Sequence, residues 1–452
     1  MNLSSLAPFL KNIISITVPI SAGRILHVLI TVLGMMMVAR FGVAQLAAGT
    51  LAISSLVMVQ TSTLTIFYAI GLHIRHLRGH PDADEHIGLL VKNAILLSFL
   101  IWIPAGLILS QMDKFLQLLG QNPHLVALTK DFFFYAAFGM FPSYVITIIS
   151  QFYIGIGKTT FPLLVELFNL PLTLIFAYGF VLGNFGLPAL GLGGISLAIA
   201  VSHFIVMIVI IASIYLRKFH EKYRFFKNPF SLNKTICKSL LKLGLPIGIQ
   251  FGGELTAIAM ASYLMGYMGI DALAAMQLTN QCSIIIMLTF GLSQALSLVI
   301  SELHGQGSAH LRDYQQCITA TLLIFFIYVL PAMAFFCTFS LPFAEWYLDN
   351  HHLDDYFAYL ITAFFYFAAG FILIDGLKNL LSGVLRGLQD SKAPSRINLI
   401  SLWGLSLPLA WFFGFIVEGG PIGLRAGFIC GIVVALIWLI FYLVRKFETI
   451  AK

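Results

Sequence analysis

Twelve stretches of this chain run for more than twenty residues with hardly a charged side chain, and that feature decides most of what the chain can become. They fall near residues 13–38, 46–74, 88–111, 125–152, 160–184, 190–216, 237–267, 272–301, 315–343, 355–386, 394–417 and 422–444. About 20 apolar residues in a helix cross the hydrocarbon of a bilayer. Inside lipid every backbone N–H and C=O must be bonded within the protein, which leaves helices or closed barrels. The runs are too long for barrel strands and do not alternate, so a barrel is excluded. Composition agrees: 59% of residues are hydrophobic and 10% charged, against about 25% charged in soluble domains. The expected class is an all-α integral membrane protein. The first run is too long for a signal-peptide core and lacks a small-residue cleavage pattern, so it reads as the first membrane helix. The five cysteines are scattered without a CxxC pair, which suggests neither a disulfide framework nor a zinc site.

Connections between the runs are short except for the basic stretch "RKFHEKYRFFKNPFSLNKTICKS" at 217–239. With twelve crossings, alternate loops share a side with both termini. That side collects twenty Lys and Arg and the other only four, Arg40, Lys114, Lys130 and Arg425. The positive-inside rule then predicts cytoplasmic termini and a cytoplasmic linker, in the cell (inner) membrane. The net charge of +7 follows from this orientation, and no nucleic-acid partner is implied.

The chain also repeats itself. Residues 11–51 align without gaps on residues 238–278 at an offset of 227, sharing Lys11/Lys238, Pro19/Pro246, Ile20/Ile247, Gly42/Gly269, "LAA" and Leu51/Leu278. Six spans separate the copies, so both begin on the same side and the repeat is parallel. The predicted organisation is an N-lobe of helices 1–6 over 1–216, a basic cytoplasmic linker over 217–236 and a C-lobe of helices 7–12 over 237–452. A parallel pseudo-two-fold pair of six-helix lobes is an architecture suited to alternating access.

With the charges near the span ends assigned to the two membrane sides, five formal charges are left inside the membrane: Arg24, Lys378, Glu166, Glu254 and Asp375. Each is expensive in lipid and marks function by default. Asp375 and Lys378, three residues apart, share a helix face and can pair. The repeat aligns His27 with Glu254, and Glu254 and Asp375 belong to one lobe, where they are expected to converge. Two carboxylates meeting at low dielectric keep a proton between them unless Lys378 or a metal cation balances the charge. Gln250, one turn before Glu254, and Gln281 could complete the pocket. Arg24, His27, Glu166 and Asn169 form a possible polar site in the N-lobe. The string His73, His76 and His80 reads as a solvated helix end; with no HExxH and no second histidine box it does not make a metal centre.

Several stretches, "VARFGVAQLAAGTL", "GIGKTTFPLL", "FNLPLTLIFAYG", "LGLPIGIQFGGE" and "DGLKNLLSGVLRGLQDS", taken in order, resemble the multidrug and toxic compound extrusion (MATE) transporters, nearest to the NorM-type branch. The resemblance covers essentially the whole chain. It implies a twelve-helix exporter that exchanges organic cations for entering Na⁺ or H⁺, with no cofactor. It also implies that Glu254 and Asp375 are the cation-coupling carboxylates, and that Asn169 and Pro171 belong to the fifth-helix "NxPxNY" pattern, in which Thr173 replaces the second Asn. Three departures stand out. Gly34 occupies the place of the first-helix acid, Phe371 that of a tyrosine one turn before the tenth-helix acid, and Lys378 that of a glutamine. Loss of an oxygen ligand at 371 and a fixed ammonium at 378 disfavour Na⁺. The expectation is therefore an antiporter of amphipathic organic cations coupled to H⁺ in preference to Na⁺, although Na⁺ at Glu254 and Asp375 stays open. A single chain is expected to suffice. The alternatives are a lipid-linked oligosaccharide flippase of related fold, which calls for a basic cavity, and an intramembrane enzyme, for which no convergent catalytic set is visible.

Overall fold

The computed structural model describes residues 3–41, 43–78, 83–216, 219–225, 232–280, 284–307, 310–348 and 354–451, and all regular structure among them is helical. The first half contains α1 (Leu3–Ala39), α2 (Val43–Leu64), α3 (Tyr68–Leu77), α4 (Ala83–Ser110), α5 (Met112–Leu118), α6 (Pro123–Gly155), α7 (Phe161–Leu182), α8 (Leu192–Leu216) and the short α9 (Phe219–Lys222). The second contains α10 (Lys234–Gly266), α11 (Ile270–Asn280), α12 (Ile284–Gln306), α13 (Leu311–Thr338), α14 (Ser340–Leu348), α15 (Asp355–Gly387), α16 (Lys392–Ser401), α17 (Leu407–Trp411) and α18 (Gly420–Ala451). Among the described residues, eleven helical segments are long and apolar enough to cross a membrane. The eighth predicted span appears as α11 and α12, and the residues between them, Gln281 included, lie outside the described set. The protein is a multi-pass, all-α membrane protein with a twelve-span fold.

The repeat seen in the first forty residues of each half extends through the element order. Val43 and Ile270, which open α2 and α11, are 227 apart; Ala83 and Leu311, which open α4 and α13, are 228 apart, as are Leu192 and Gly420 at the starts of α8 and α18. Interior prolines follow the same register: Pro19 of α1 with Pro246 of α10, and Pro104 of α4 with Pro331 of α13. A proline inside a helix removes one backbone hydrogen bond and bends the rod, and membrane helices tolerate this because neighbours satisfy the freed carbonyl.

By internal packing the chain forms two compact units, residues 22–248, and residues 1–21 with 249–452. The borders, Ser21/Ala22 and Gly248/Ile249, are themselves 227 apart and each falls two residues after the paired prolines.

In the 22–248 unit, α6 is the central helix. It starts at Pro123, where Asn122 caps the first turn by accepting from the His124 N–H at 2.9 Å, and its buried Phe132, Phe133, Tyr144 and Phe152 anchor the core. The linker docks on the end of this unit: buried Tyr223 and Phe225 stack edge-on against Phe152 with ring centroids 5.1 and 5.5 Å apart. Arg224 pairs with Glu85 at 2.6 Å and Lys222 with Asp84 at 3.7 Å. Gly88 makes room for this, since a side chain there would collide with the Tyr223 carbonyl.

In the other unit α15 packs most closely on α12. Gly383 faces Ser293, and Gly387 faces the Ser297 carbonyl and Ile300. Small residues at such seams let membrane helices approach, where packing rather than hydrophobicity drives association.

Candidate functional site

Polar residues on α15 recur at 375, 378, 379, 382 and 386, a spacing that puts them on one side of a helix. All five, Asp375, Lys378, Asn379, Ser382 and Arg386, are buried. Gly376 lets this part of α15 settle against Phe325 and Thr289, the latter within 3.4 Å of where a side chain would begin.

Lys378 stands at the centre. Its Nζ lies 2.7 Å from Asp375 Oδ1 and 3.4 Å from Glu254 Oε1, and the side chain is only 2% exposed. Glu254 comes from α10, eight residues beyond the bend at Pro246. Each carboxylate has a second donor one helical turn away: Gln250 Nε2 donates to Glu254 Oε1 at 3.1 Å, and Asn379 Nδ2 donates to Asp375 Oδ2 at 2.8 Å. The next layer is fixed too, because Ser293 Oγ donates to the Asn379 carbonyl at 2.6 Å. One ammonium between two carboxylates leaves the cluster one formal negative charge when both acids are ionised. The hydrogen bonds made to an ionised carboxylate in this cluster are of the charge-assisted, stronger kind. The far amide oxygens, Gln250 Oε1 and Asn379 Oδ1, are buried without a partner.

Phe371, one turn before Asp375, is half-buried. The structure therefore brings together Glu254, Asp375, Lys378 and Gln250. Asn379 is the contributor that sequence reasoning missed: the charge count passed over a neutral amide, although an Asn inside an apolar span is itself a signal.

The other unit carries a second polar group. His27 Nδ1 of α1 lies 3.6 Å from Glu166 Oε1 of α7, with half of the histidine side chain exposed. Asn169 Nδ2 reaches Glu166 Oε2 at 3.4 Å, Thr173 Oγ1 donates to Asn169 Oδ1 at 3.3 Å, and Thr173 meets Ser202 Oγ of α8 at 2.7 Å. The Arg24 guanidinium sits over the Tyr68 ring, 5.6 Å from its centroid. Next to Ser202, His203 is a buried histidine that the sequence analysis did not single out. At Gly34 a side chain would meet Ile195 Cδ1 at 3.4 Å, so hydrocarbon borders the position of the missing first-helix acid. His73 bridges the Ala69 carbonyl at 3.0 Å and Ser239 Oγ at 2.9 Å, a packing role; His80 lies outside the described residues.

A sequence model of the MatE family matches residues 19–179 and again 246–412. The two matched segments begin 227 residues apart, at the paired prolines. A relative from Agrobacterium fabrum described as a probable multidrug resistance protein NorM is 30% identical over 428 residues, 93% of this chain and 90% of the relative. One from Bacillus subtilis with the same description is 27% identical over 96% of this chain and 95% of its own length. Among solved structures, the eukaryotic MATE transporter AtDTX14 superposes with a TM-score of 0.83 at 17% identity, covering 99% of this chain and 100% of that one. An outward-facing multidrug resistance MATE family transporter of the MOP superfamily superposes with a TM-score of 0.84 at 15% identity, covering 98% and 97%.

Proposed function

Because the chain belongs to the MatE family of membrane transporters, and so is not an enzyme, we propose that it is a secondary antiporter that exports amphipathic organic cations in exchange for protons. The observation that carries this reading is the single ammonium of Lys378 held between Glu254 and Asp375. A site with one negative charge left over attracts one positive passenger, and its own lysine keeps the acids from standing uncompensated when no passenger is bound. Relatives described as multidrug resistance proteins favour drug-like cations as the cargo.

In this mechanism an organic cation entering from the cytoplasm takes the surplus charge, and alternating access between the two six-helix lobes, 1–216 and 237–452, carries it outward. Protonation of Glu254 or Asp375 from outside then weakens the hold on the drug and lets Lys378 close on the remaining carboxylate. Drug and proton compete for the same negative charge, and competition of this kind is what couples opposed fluxes. Protons are favoured over Na⁺ because an ammonium already sits on the carboxylate oxygens, and Na⁺ as a hard cation needs several oxygens to itself. The protein works as a monomer in the cytoplasmic membrane with both termini inside and requires no cofactor. Arg24, His27, Glu166 and Asn169 supply an accessory polar site in the first lobe.

Ethidium efflux in inverted vesicles, with a pH gradient and a Na⁺ gradient imposed separately, tests the reading. The pH gradient alone should drive transport, and a response to Na⁺ alone overturns the choice of ion. Glu254→Gln and Asp375→Asn should each abolish active efflux in a protein that still folds; unchanged efflux in either removes that residue from the mechanism.

A further inference from the structure

We propose that the buried polar seam shared by α12, α15 and α16 is a hydrated path along which the proton leaves the Glu254, Asp375 and Lys378 cluster for the cytoplasmic side. The inference rests on the proton-coupled reading above.

The seam is built from three helices. On α15 the polar face descends from Asp375 through Asn379 and Ser382 to Arg386. On α12, Ser293, Ser297 and Ser301 recur every four residues, all buried, and α16 contributes buried Ser395, Asn398 and Ser401. Cross-links fix the register: Ser293 Oγ to the Asn379 carbonyl, Asn398 Nδ2 to Ser382 Oγ at 3.2 Å, and Gln389 Nε2 to Ser301 Oγ at 3.0 Å. With α15 and α16 antiparallel and joined at Asn398 and Ser382, Ser401 stands level with Asn379, three residues further along each helix.

Serines alone would be ordinary packing, since a hydroxyl in a membrane helix can bond its own backbone. The second observation is a row of polar atoms with no protein partner. Gln250 Oε1, Asn379 Oδ1, Asn398 Oδ1 and Ser401 Oγ are each unpartnered, on side chains with 0% exposure. An unpaired buried polar group carries a penalty of about 1 to 3 kcal/mol, and native proteins meet it with ordered water that makes about three hydrogen bonds. These four atoms run from Glu254 down the seam and end at the level of Ser382. Water bridging them joins the carboxylates to the lower half of α15.

The charge layout gives the path a direction. Its upper end holds Glu254, Asp375 and Lys378. Near the lower end Arg386 donates Nε to the Ser382 carbonyl at 3.1 Å and lies over the Phe251 ring, 5.4 Å from the centroid. Beyond it Asp390 accepts from Tyr442 OH at 2.9 Å and Lys446 Nζ at 3.3 Å. A proton given by a carboxyl to the first water is matched by one leaving the last water, and the carboxylate regains Lys378. The fixed Arg386 charge opposes entry of a proton from below when no carboxyl is ready to release one.

Proteoliposomes with a trapped pH dye, in which ethidium drives proton counterflow, provide the test. Asn398→Leu and Ser401→Val should each slow that counterflow about a hundredfold or more, the scale of losing a positioned proton-transfer group. Tetraphenylphosphonium affinity at fixed pH should stay unchanged, and Asn398→Ser, which supplies a hydroxyl in place of the amide and leaves space for water, should restore most of the rate. Parent-like counterflow in both folded blocking variants overturns the path and leaves proton coupling intact. Absence of counterflow in the unaltered protein overturns both readings.

Discussion

Asn379 and Lys378 divide the two oxygens of Asp375 between them: the amide donates to Oδ2 at 2.8 Å while the ammonium approaches Oδ1 at 2.7 Å. Neighbouring residues thus serve opposite sides of one carboxylate, and the lysine keeps a hydrogen-bonding hand for Glu254 at 3.4 Å. Lys378 is held by both acids while each acid retains a donor of its own. Such a lysine can let go of one carboxylate without stranding it.

Replacing Lys378 separates its charge from its hydrogen bonds. Lys378→Met leaves two buried carboxylates without a cation, and breaking a buried pair from one side costs about 3 to 5 kcal/mol. A matching drop in thermal midpoint in detergent is expected. Lys378→Gln keeps an amide donor and should fold, but the site then has two formal negative charges to offer. A Na⁺ gradient alone should now drive ethidium efflux in that variant. A Lys378→Gln protein indifferent to Na⁺ would show that the ammonium is not what excludes the ion.

Asn379→Leu tests the other half of the arrangement. It strips the donor from Asp375 Oδ2 on a side chain closed to bulk solvent. A lost hydrogen bond to a buried charged group costs about 1.5 to 3 kcal/mol. Stability should fall by that amount and efflux should weaken, whereas Asn379→Ser, able to donate again, should recover part of both. Equal stability for Asn379→Leu and the parent protein would place the amide outside the network.

The spans were legible because apolar runs of membrane length have one solution, and the parallel repeat because prolines and glycines stood in register. Three short helices were not: α5, α9 and α14, seven, four and nine residues long, carry too short a signal to separate from the loops around them. Two turns of wider π-helix, 402–406 and 412–416, flank α17 in the eleventh span, and no residue pattern announced them. At the site the acidic and basic residues were visible as costs in lipid. Asn379, Ser293 and the Thr173 and Ser202 pair were not, since a neutral polar side chain in an apolar run betrays its role only through its partner.

In the first-lobe site, exposure decides which contact matters for stability. His27 lies 3.6 Å from Glu166 with half its side chain exposed, a separation beyond hydrogen-bond reach, so removing the imidazole breaks no hydrogen bond. Thr173 bonds Ser202 and Asn169 where all three are buried, and removing one hydroxyl leaves partners unsatisfied at about 1 to 3 kcal/mol. Thermal unfolding should therefore be nearly unchanged in His27→Gln and clearly lowered in Thr173→Val. The reverse order would mean that the histidine and not the threonine ties α7 in place.

The linker should respond both to a side chain at residue 88 and to alkaline pH. Gly88 lies against the Tyr223 backbone with no space for a side chain, so Gly88→Val should lift Tyr223 and Phe225 off Phe152 and expose the linker to trypsin at Arg224. Burial of the Tyr223 phenol raises its pKa above the ordinary value of 10.0. A group whose folded pKa is raised contributes its stabilisation in full below the unfolded pKa and loses it as pH climbs through the folded value. Docking should accordingly hold at pH 8 and loosen above about pH 10, while Tyr223→Phe, which cannot ionise, should stay docked there. Limited proteolysis of the three proteins at both pH values reads this directly: equal cleavage of the parent and Tyr223→Phe proteins at high pH would show that the phenol does not control the strap.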